Sequence, residues 1–305
     1  TLDFVWIDTE HNPMSLEPVQ CHFMATKGTL TVPLVRSSAN DPVLIKPVLD
    51  VGAKPVFVDV TPDSWTLDPD QLEAAIGPKT RGIIAVDAFG QCADYDALAA
   101  IADRRGLFLI EDAAAAAGAK LRGRPAGSFG RAACFSLHGR KGITCGEGGV
   151  VTTDDEALAA KIRMLAAFGM ESAFARQNRD ALTVPVFTEL GYNYKLSDIH
   201  AAIALVQLEK LDALVARRRA VAARYGELLG ELPGVTLPAI AEGREPVWQS
   251  YVLTLDASVD RDAVALSLRE ANIQANIGTY ASHVQPVYGT TAPCPVSARL
   301  FGQHQ

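Results

Sequence analysis

The sequence predicts an α/β chain built on a mostly parallel sheet flanked by helices, and three observations lead there. Short apolar runs, β-branched or aromatic and bounded by glycine, read as buried strands. They alternate with longer stretches of helical character, as in parallel strands joined by crossover helices. Carboxylates and a lysine sit at or just past the ends of these runs, where open α/β sheets line their ligand crevice.

Residues 1–52 read as about one and a half βα units. FVWID is a strand ending at Asp8, Glu10 and His11, and SLEPVQCHFMATKG is a short helix. VPLVR is a second strand ending at Arg36. NDPVLIKPVLDVG has helical spacing, with Asn40 or Asp41 at its start, Gly52 past its end and Pro47 interrupting it. From Ala53 the alternation is continuous. KPVFVDV is a strand ending at Asp59, and a helix begins near Asp68-Pro69, where proline suits the first turn. RGIIAVDAFGQ is a strand, DYDALAAIADRRG a helix stopped by Gly106, and LFLIED and AACFSL two further strands. Gly146-Glu147-Gly148-Gly149 is a tight turn feeding the run VVTT. Thr153 or Asp154 is the expected cap of the helix DEALAAKIRMLAAFG.

After Gly169 comes a long irregular stretch of the kind that covers or carries sites. Ile199, Ile203, Val206, Leu211, Leu214 and Val215 then predict one helix with a buried stripe. A Pro/Gly-rich linker around 232–247 leads into a smaller unit: strand SYVLTL, helix RDAVALSLREAN, strand IQANIGTY and a terminal helix VSARLFGQHQ. The expected division is thus 1–52, 53–231 and 232–305.

Composition narrows the function classes. A formal charge of −7 over 305 residues leaves no electrostatic footprint for nucleic acid. The run Arg217-Arg218-Arg219 points three ways around a helix and reads as a solvated face. No apolar stretch reaches bilayer length and no signal peptide is visible, so no membrane partner is expected. The five cysteines lack C-x-x-C spacing, which argues for reduced thiols in a cytoplasmic protein and against a zinc site. No metal site is expected.

The chemistry concentrates between Gly106 and Thr153. Asp112 ends one strand, and Lys141 follows another five residues after Ser136. An acid and a lysine on one crevice suit pyridoxal phosphate: the amine can bond the aldehyde, and the carboxylate can keep the pyridine nitrogen protonated. Singly, each residue reads as a cap, a surface charge or a turn; the order and spacing together favour the cofactor.

These residues resemble the DegT/DnrJ/StrS-type sugar aminotransferases, fold-type I pyridoxal phosphate enzymes. The matching words are Glu111-Asp112-Ala113-Ala114, Gly127-Ser128-Phe129-Gly130, Cys134-Phe135-Ser136-Leu137-His138, Lys141, and the Gly146–Gly149 turn. A second motif matches at Gly191, Asn193, Tyr194, Ser197, Asp198, Ala201, Ala202, Ile203, Gln207, Leu208 and Leu211. The resemblance runs from about Gly52 to the end. It departs from the family pattern at Ala115 (usually Gln), Ala117 (usually His) and Lys195 (usually Arg). It implies that Asp112 pairs with the pyridine nitrogen, Ser136 with the phosphate, and Lys141 with the aldehyde. Asn193 is implied to reach the phosphate in the other subunit of a homodimer, and His138, Tyr280 and His283 to lie toward the substrate. The implied reaction is ping-pong transfer of an amino group from an amino-acid donor, usually glutamate, to a nucleotide-linked keto sugar, in amino-sugar or polysaccharide biosynthesis. Lys141 then acts as general base and acid, which requires a pKa below the reference of about 10.4. Desolvation and a nearby cation, with His138 and Arg140 the candidates, lower it.

Residues 1–52 resemble instead a fragment of the HpcH/HpaI metal-dependent aldolases, in which His11 would be the base and Arg36 would hold the keto acid. A barrel cannot close from two strands. The sugar aminotransferases carry a phosphate-binding turn and a ring-stacking aromatic before this point, and neither is seen ahead of Gly52. They also continue with one more strand and helix, so the chain reads as truncated. Two alternatives therefore accompany the aminotransferase expectation: an inactive fusion, and a metal-dependent lyase.

Overall fold

A computed structural model of the chain describes residues 4–8, 32–36, 55–170, 185–278, 280–286 and 293–302. Near the N-terminus, β1 (Phe4–Asp8) and β2 (Val32–Arg36) pair in parallel as a two-stranded sheet, with Asp8 opposite Arg36. The helices expected between and after them, and His11, lie outside the described residues.

The main sheet follows. Helix α1 (Pro69–Ala75) has Asp68 as its cap and Pro69 in its first turn, as the sequence predicts. Then come β3 (Gly82–Val86), α2 (Tyr95–Arg105), β4 (Phe108–Asp112), the short strands β5 (Lys120–Leu121) and β6 (Arg124–Pro125), β7 (Ala132–Ser136) and β8 (Gly149–Thr152). The order β3-β4-β7-β8 is parallel in its first two pairings and antiparallel in the last. Gly106 ends α2 in the left-handed conformation, which a glycine enters without a Cβ penalty. Helix α3 (Glu156–Ala166) returns across the sheet.

The central strands β4 and β7 are buried because both faces acquire helices, unequally, while β8 stays largely exposed. On one face Ile83, Ala85 and Leu109 join Tyr95, Leu98, Ile101 and Ala102 of α2 in the principal core. On the other, Ile110 and Ala132 pack with Leu158 of α3. That helix leaves β3 uncovered: Ile84 and Val86 remain 45% and 48% exposed.

Helices α4 (Asp198–Leu208) and α5 (Leu211–Leu229) succeed one another, then β9 (Val235–Thr236), β10 (Arg244–Glu245), β11 (Thr254–Leu255), α6 (Arg261–Glu270) and α7 (Pro295–Gly302). β10 adds to β5 and β6 of the larger unit, and Val247 enters the principal core. Among the described residues, no helix is long and apolar enough to cross a membrane, and no three His, Cys, Asp or Glu cluster as metal ligands.

Four expectations need correction. Within KPVFVDV, the described residues 55–59 are irregular and Val60 makes a single bridge to Leu67. Asp59 serves instead as a helix cap, its oxygens accepting the Val296 and Ser297 N–H groups of α7 at 2.7 and 2.9 Å. The cap of α3 is Asp155, accepting Leu158 N–H, because Thr153 is committed to the Arg131 carbonyl and the Asp155 N–H. The single striped helix is two, separated at Glu209–Lys210, and Ile199, Ile203 and Val206 are exposed. In the small unit SYVLTL shrinks to β11, paired with β9, and residues 273–278 form no strand. Arg269 binds the Ala275 carbonyl and Asn276 Oδ1 there, so those groups need no ladder.

Asp59 thus ties the C-terminal helix to the larger unit through two first-turn N–H groups. Asp59→Ala should cost about 1–2 kcal/mol of unfolding free energy in urea titration, the size of a lost cap; an unchanged midpoint would show that the cap contributes nothing.

Candidate active site

Parallel pairing brings the carboxyl ends of β3, β4 and β7 to one edge of the sheet. Val86 lies opposite Asp112, and Asp112 opposite Cys134, two residues before Ser136. The edge therefore carries Asp112 and Ser136 side by side. Asp112 is half-buried, and its Oδ1 accepts the Ala114 N–H at 3.1 Å, so the carboxylate is steadied by its own turn. Ser136 is buried; its Oγ accepts the His138 N–H at 3.4 Å and keeps its own proton for another partner.

Lys141 enters from the turn that follows β7. Its N–H donates to the His138 carbonyl at 2.9 Å, and His138 Nδ1 accepts the Arg140 N–H at 3.3 Å. His138 Nε2 lies 3.8 Å from Glu147 Oε1. Lys141 is itself half-buried. The next residue, Gly142, packs toward the turn after Asp112: a Cβ there would meet the Ala117 carbonyl oxygen at 4.0 Å. Leu137, Ile143 and Cys145 then form a small core with Ala117, Leu196, Ala204, Leu211 and Leu214. Thr144 closes the loop, donating to the Leu137 carbonyl at 2.8 Å and accepting the Gly146 N–H at 2.9 Å. At Gly148 the backbone has φ +153°, and a Cβ would come 2.8 Å from Leu196 Cδ1, so this turn requires glycine.

The remaining candidates lie further out. Asn193 is exposed; its backbone bridges Ala167, and its Oδ1 accepts from Lys195 Nζ. Its motif reaches the glycine turn through His200, whose Nε2 is 3.9 Å from where a Gly146 Cβ would stand. Tyr280 is 44% exposed and meets Phe301 edge-on, whereas His283 is buried in a short 3-10 turn, Ser282–Val284. Both belong to the small unit. Arg36 ends β2, and His11 is outside the described residues.

Three residues at the site escape sequence reasoning. Gln249 Nε2 donates to the Arg140 carbonyl at 3.4 Å, steadying the lysine turn from 109 residues away, and no motif marks it. Asp87 and Glu111 stand behind the row with no exposed surface. Burial, then the charge of Glu111, raises Asp87 well above the usual carboxylate range, and burial raises Glu111 as well. The one signal was position: each carboxylate sits at the end of an apolar run.

Residues 44–304 match the model of the DegT/DnrJ/EryC1/StrS aminotransferase family. The chain belongs to this family. The match begins within the NDPVLIKPVLDVG stretch, ahead of Gly52, and the aldolase resemblance of the N-terminal residues finds no support in the comparisons. A Brucella abortus DegT/DnrJ/EryC1/StrS aminotransferase superposes with a TM-score of 0.73 at 33% identity, covering 85% of this chain and 69% of that one. DesI, solved in the presence of its TDP-sugar product, gives 0.74 at 33% identity, with 85% and 65% covered. The sugar aminotransferase homologue Spr1654 of Streptococcus pneumoniae, solved in its PMP form, gives 0.75 at 25% identity, with 84% and 69% covered. The chain thus spans about two thirds of the length of these structures. The α/β architecture is that of fold-type I enzymes, and the cofactor of the DegT/DnrJ/EryC1/StrS aminotransferases is pyridoxal 5'-phosphate.

The loop geometry around Lys141 hinges on Thr144. Thr144→Val keeps the volume but takes one of two donors from the Leu137 carbonyl, which keeps the Cys145 N–H, and removes the acceptor of the Gly146 N–H. It should lower stability by about 1–2 kcal/mol in chemical denaturation; no change would mean that water takes over both groups.

Proposed function

We propose that this chain is a pyridoxal phosphate-dependent aminotransferase that moves an amino group from an amino acid, glutamate by preference, to a keto group on a nucleotide-linked sugar. The setting would be amino-sugar or polysaccharide biosynthesis in the cytoplasm. One observation carries the reading: a carboxylate, a buried hydroxyl and a lysine turn stand along the same carboxyl edge of one parallel sheet. The sugar class draws support from DesI, solved with a TDP-sugar product. The cytoplasmic setting draws support from Cys92, Cys134, Cys145 and Cys294, all buried and unbridged.

The donor set fits the cofactor. Among the described residues only Oδ1 of Asp112 is engaged, which leaves the second oxygen to receive a pyridinium N–H. The Ser136 hydroxyl has a proton to give to a phosphate oxygen. Asn193 would supply its amide to a phosphate, from the partner subunit of a homodimer. When bound, pyridoxal phosphate supplies an electron sink for the bond-breaking at Cα. The rest falls to the chain. Lys141 Nζ would hold the aldehyde carbon and, once displaced, take and return the proton as base and acid. Asp112 would keep the ring nitrogen protonated. His138, beside the lysine turn, and Tyr280 and His283, from the small unit, would face the sugar. Residues 53–231 would bind the cofactor and residues 232–305 form the smaller unit, with 1–52 set apart.

The homodimer has its own support. Helix α4 is apolar on nearly every side, yet none of its residues is buried; Ile199 is 75% and Leu205 65% exposed. An apolar patch of this kind marks an interaction surface, and α4 lies within the same motif as Asn193. Ile199→Asp with Leu205→Asp should convert a dimer to a monomer in light scattering; a monomeric wild type would remove the shared site.

The central test is spectroscopic. Protein mixed with pyridoxal phosphate should show the long-wavelength absorption of lysine-bound cofactor, and glutamate should discharge it. Lys141→Ala should lack the band and lose at least about 10²–10⁴ in transamination rate. A wild type without the band would instead favour an inactive fusion.

A further inference from the structure

Behind the strand-end row lies a group that the proposed chemistry does not use. Asp87 follows β3, and Glu111 immediately precedes Asp112 on β4; both are 0% exposed. Carboxylates so deep are normally paired with a cation or neutralised, so each oxygen needs an account. Glu111 Oε1 accepts the Gly127 N–H at 2.6 Å, and Oε2 accepts the Phe129 N–H at 2.9 Å. Asp87 Oδ1 accepts the Ala93 N–H at 2.9 Å and the Tyr95 hydroxyl at 2.8 Å. Asp87 Oδ2 receives no donor among the described residues. Ala85 lies opposite Glu111 in the ladder, so Asp87, two residues on, falls on the same side as the Glu111 carboxyl, which as a carboxylate can only accept. Two acceptors on one side of adjacent strands, both cut off from water, call for a proton between them.

The surrounding groups supply none. Tyr95 has one proton, already directed at Oδ1 at 2.8 Å and the Ala85 carbonyl at 3.2 Å, and burial holds both Tyr95 and Cys92 in their neutral forms. Arg124 acts on Glu111 from a distance, stacked 4.6 Å over the Phe129 ring. Arg244 is turned to Thr66 Oγ1 at 3.2 Å. The proton belongs on Asp87, because Glu111 is already satisfied as an anion by two N–H groups.

The same pair grips Asp112. Asp87 donates its N–H to the Asp112 carbonyl at 3.0 Å, while Glu111, one residue earlier, is bound to the 127–129 turn. We propose that Asp87 and Glu111 share one proton, carried on Asp87 Oδ2, and that this hydrogen bond positions Asp112 toward the cofactor. Asp87 is then a positioning residue, and its role toward the cofactor rests on the function proposed above.

The sign of the pH effect follows. A carboxyl raised in the folded state keeps a proton that the unfolded chain releases at about pH 4. Its contribution is full below that pH and is lost as pH rises toward the folded value. Asp87→Asn mimics the protonated form: its oxygen accepts from Ala93 and Tyr95, and its amide donates to Glu111 at any pH. Thermal unfolding without cofactor, followed from pH 4 to 8, should therefore show Asp87→Asn gaining on wild type as pH rises, while Asp87→Ala is destabilised throughout. A pH-independent difference between wild type and Asp87→Asn, or an Asp87→Asn as unstable as Asp87→Ala, would overturn the shared proton. Titration with pyridoxal phosphate, read by absorbance, tests the positioning. Asp87→Asn should keep wild-type affinity and Asp87→Ala lose about tenfold, the size of one hydrogen bond. Should Asp87→Ala not fold, Glu111→Gln, which leaves a backbone N–H of the 127–129 turn unpaired, takes its place with the same expected loss. Wild-type affinity in the substitute that folds would overturn the positioning role. Failure of wild type to bind cofactor would count against the proposed function, while the unfolding profiles would still decide the proton.

Discussion

Glu111 has no exposed surface, and each of its oxygens is held by a backbone N–H, from Gly127 and Phe129. A charge so placed is costly to desolvate, and hydrogen bonds to it are worth about 1.5–3 kcal/mol each. The arrangement is stable only while the 127–129 turn stays against the end of β4. That turn in turn seats Phe129, stacked on Tyr95 at 4.6 Å on one side and under Arg124 on the other. One buried carboxylate thus fixes the approach to β7, and with it the register that sets Ser136 and the lysine turn beside Asp112. Glu111→Ala would leave two buried N–H groups unpaired, and the loss would be felt at the site rather than only in the core.

The sheet explains why the candidate residues share an edge. Parallel strands need crossovers, so β3, β4 and β7 all end on the same side. The crossovers cover the faces unequally. α2 seals one face, and α3 seals only the part of the other beneath Ile110 and Ala132. The apolar surface left at Ile84, Val86 and along α4 is more than scattered exposed side chains explain. The interior is complete around the cofactor-side turn and incomplete away from it.

What was legible in the sequence was what local chemistry decides. FLIED and AACFS carry their strand character in their own side chains, and Asp68, Gly106 and Pro69 mark helix ends by mechanisms that need no partner. The order of Asp112, Ser136 and Lys141 along these elements was equally readable. Elements that depend on a neighbour were not. KPVFVDV has strand composition but finds no ladder in its described residues, and Asp59 caps a helix more than two hundred residues away. Gln249 reaches the Arg140 carbonyl through tertiary contact alone. Thr153 and Asp154 read as the caps of α3, but Thr153 is taken up by the Arg131 carbonyl and Asp155 accepts the Leu158 N–H. Glu111 and Asp87 looked like two strand-end acids, and only their shared burial separates them from Asp112.

The alanine run from Ala113 to Ala117 gains a physical meaning from the packing. Ala113, Ala116 and Ala119 lie in the principal core, while Ala117 packs against Leu137, Ile143 and Cys145 of the lysine loop. The turn after Asp112 is therefore wedged between two clusters. Protein interiors pack too densely to absorb added methylenes without shifting backbone. Small side chains allow the Asp112 turn and the Lys141 turn to approach, with Gly142 facing the Ala117 carbonyl. Ala115 and Ala117 stand where the family pattern has larger polar residues, so contacts those residues would make are here exchanged for close backbone approach. The Asp112 carboxylate is then held by a backbone N–H of its own turn, from Ala114, and the Asp112 carbonyl by the Asp87 N–H behind it.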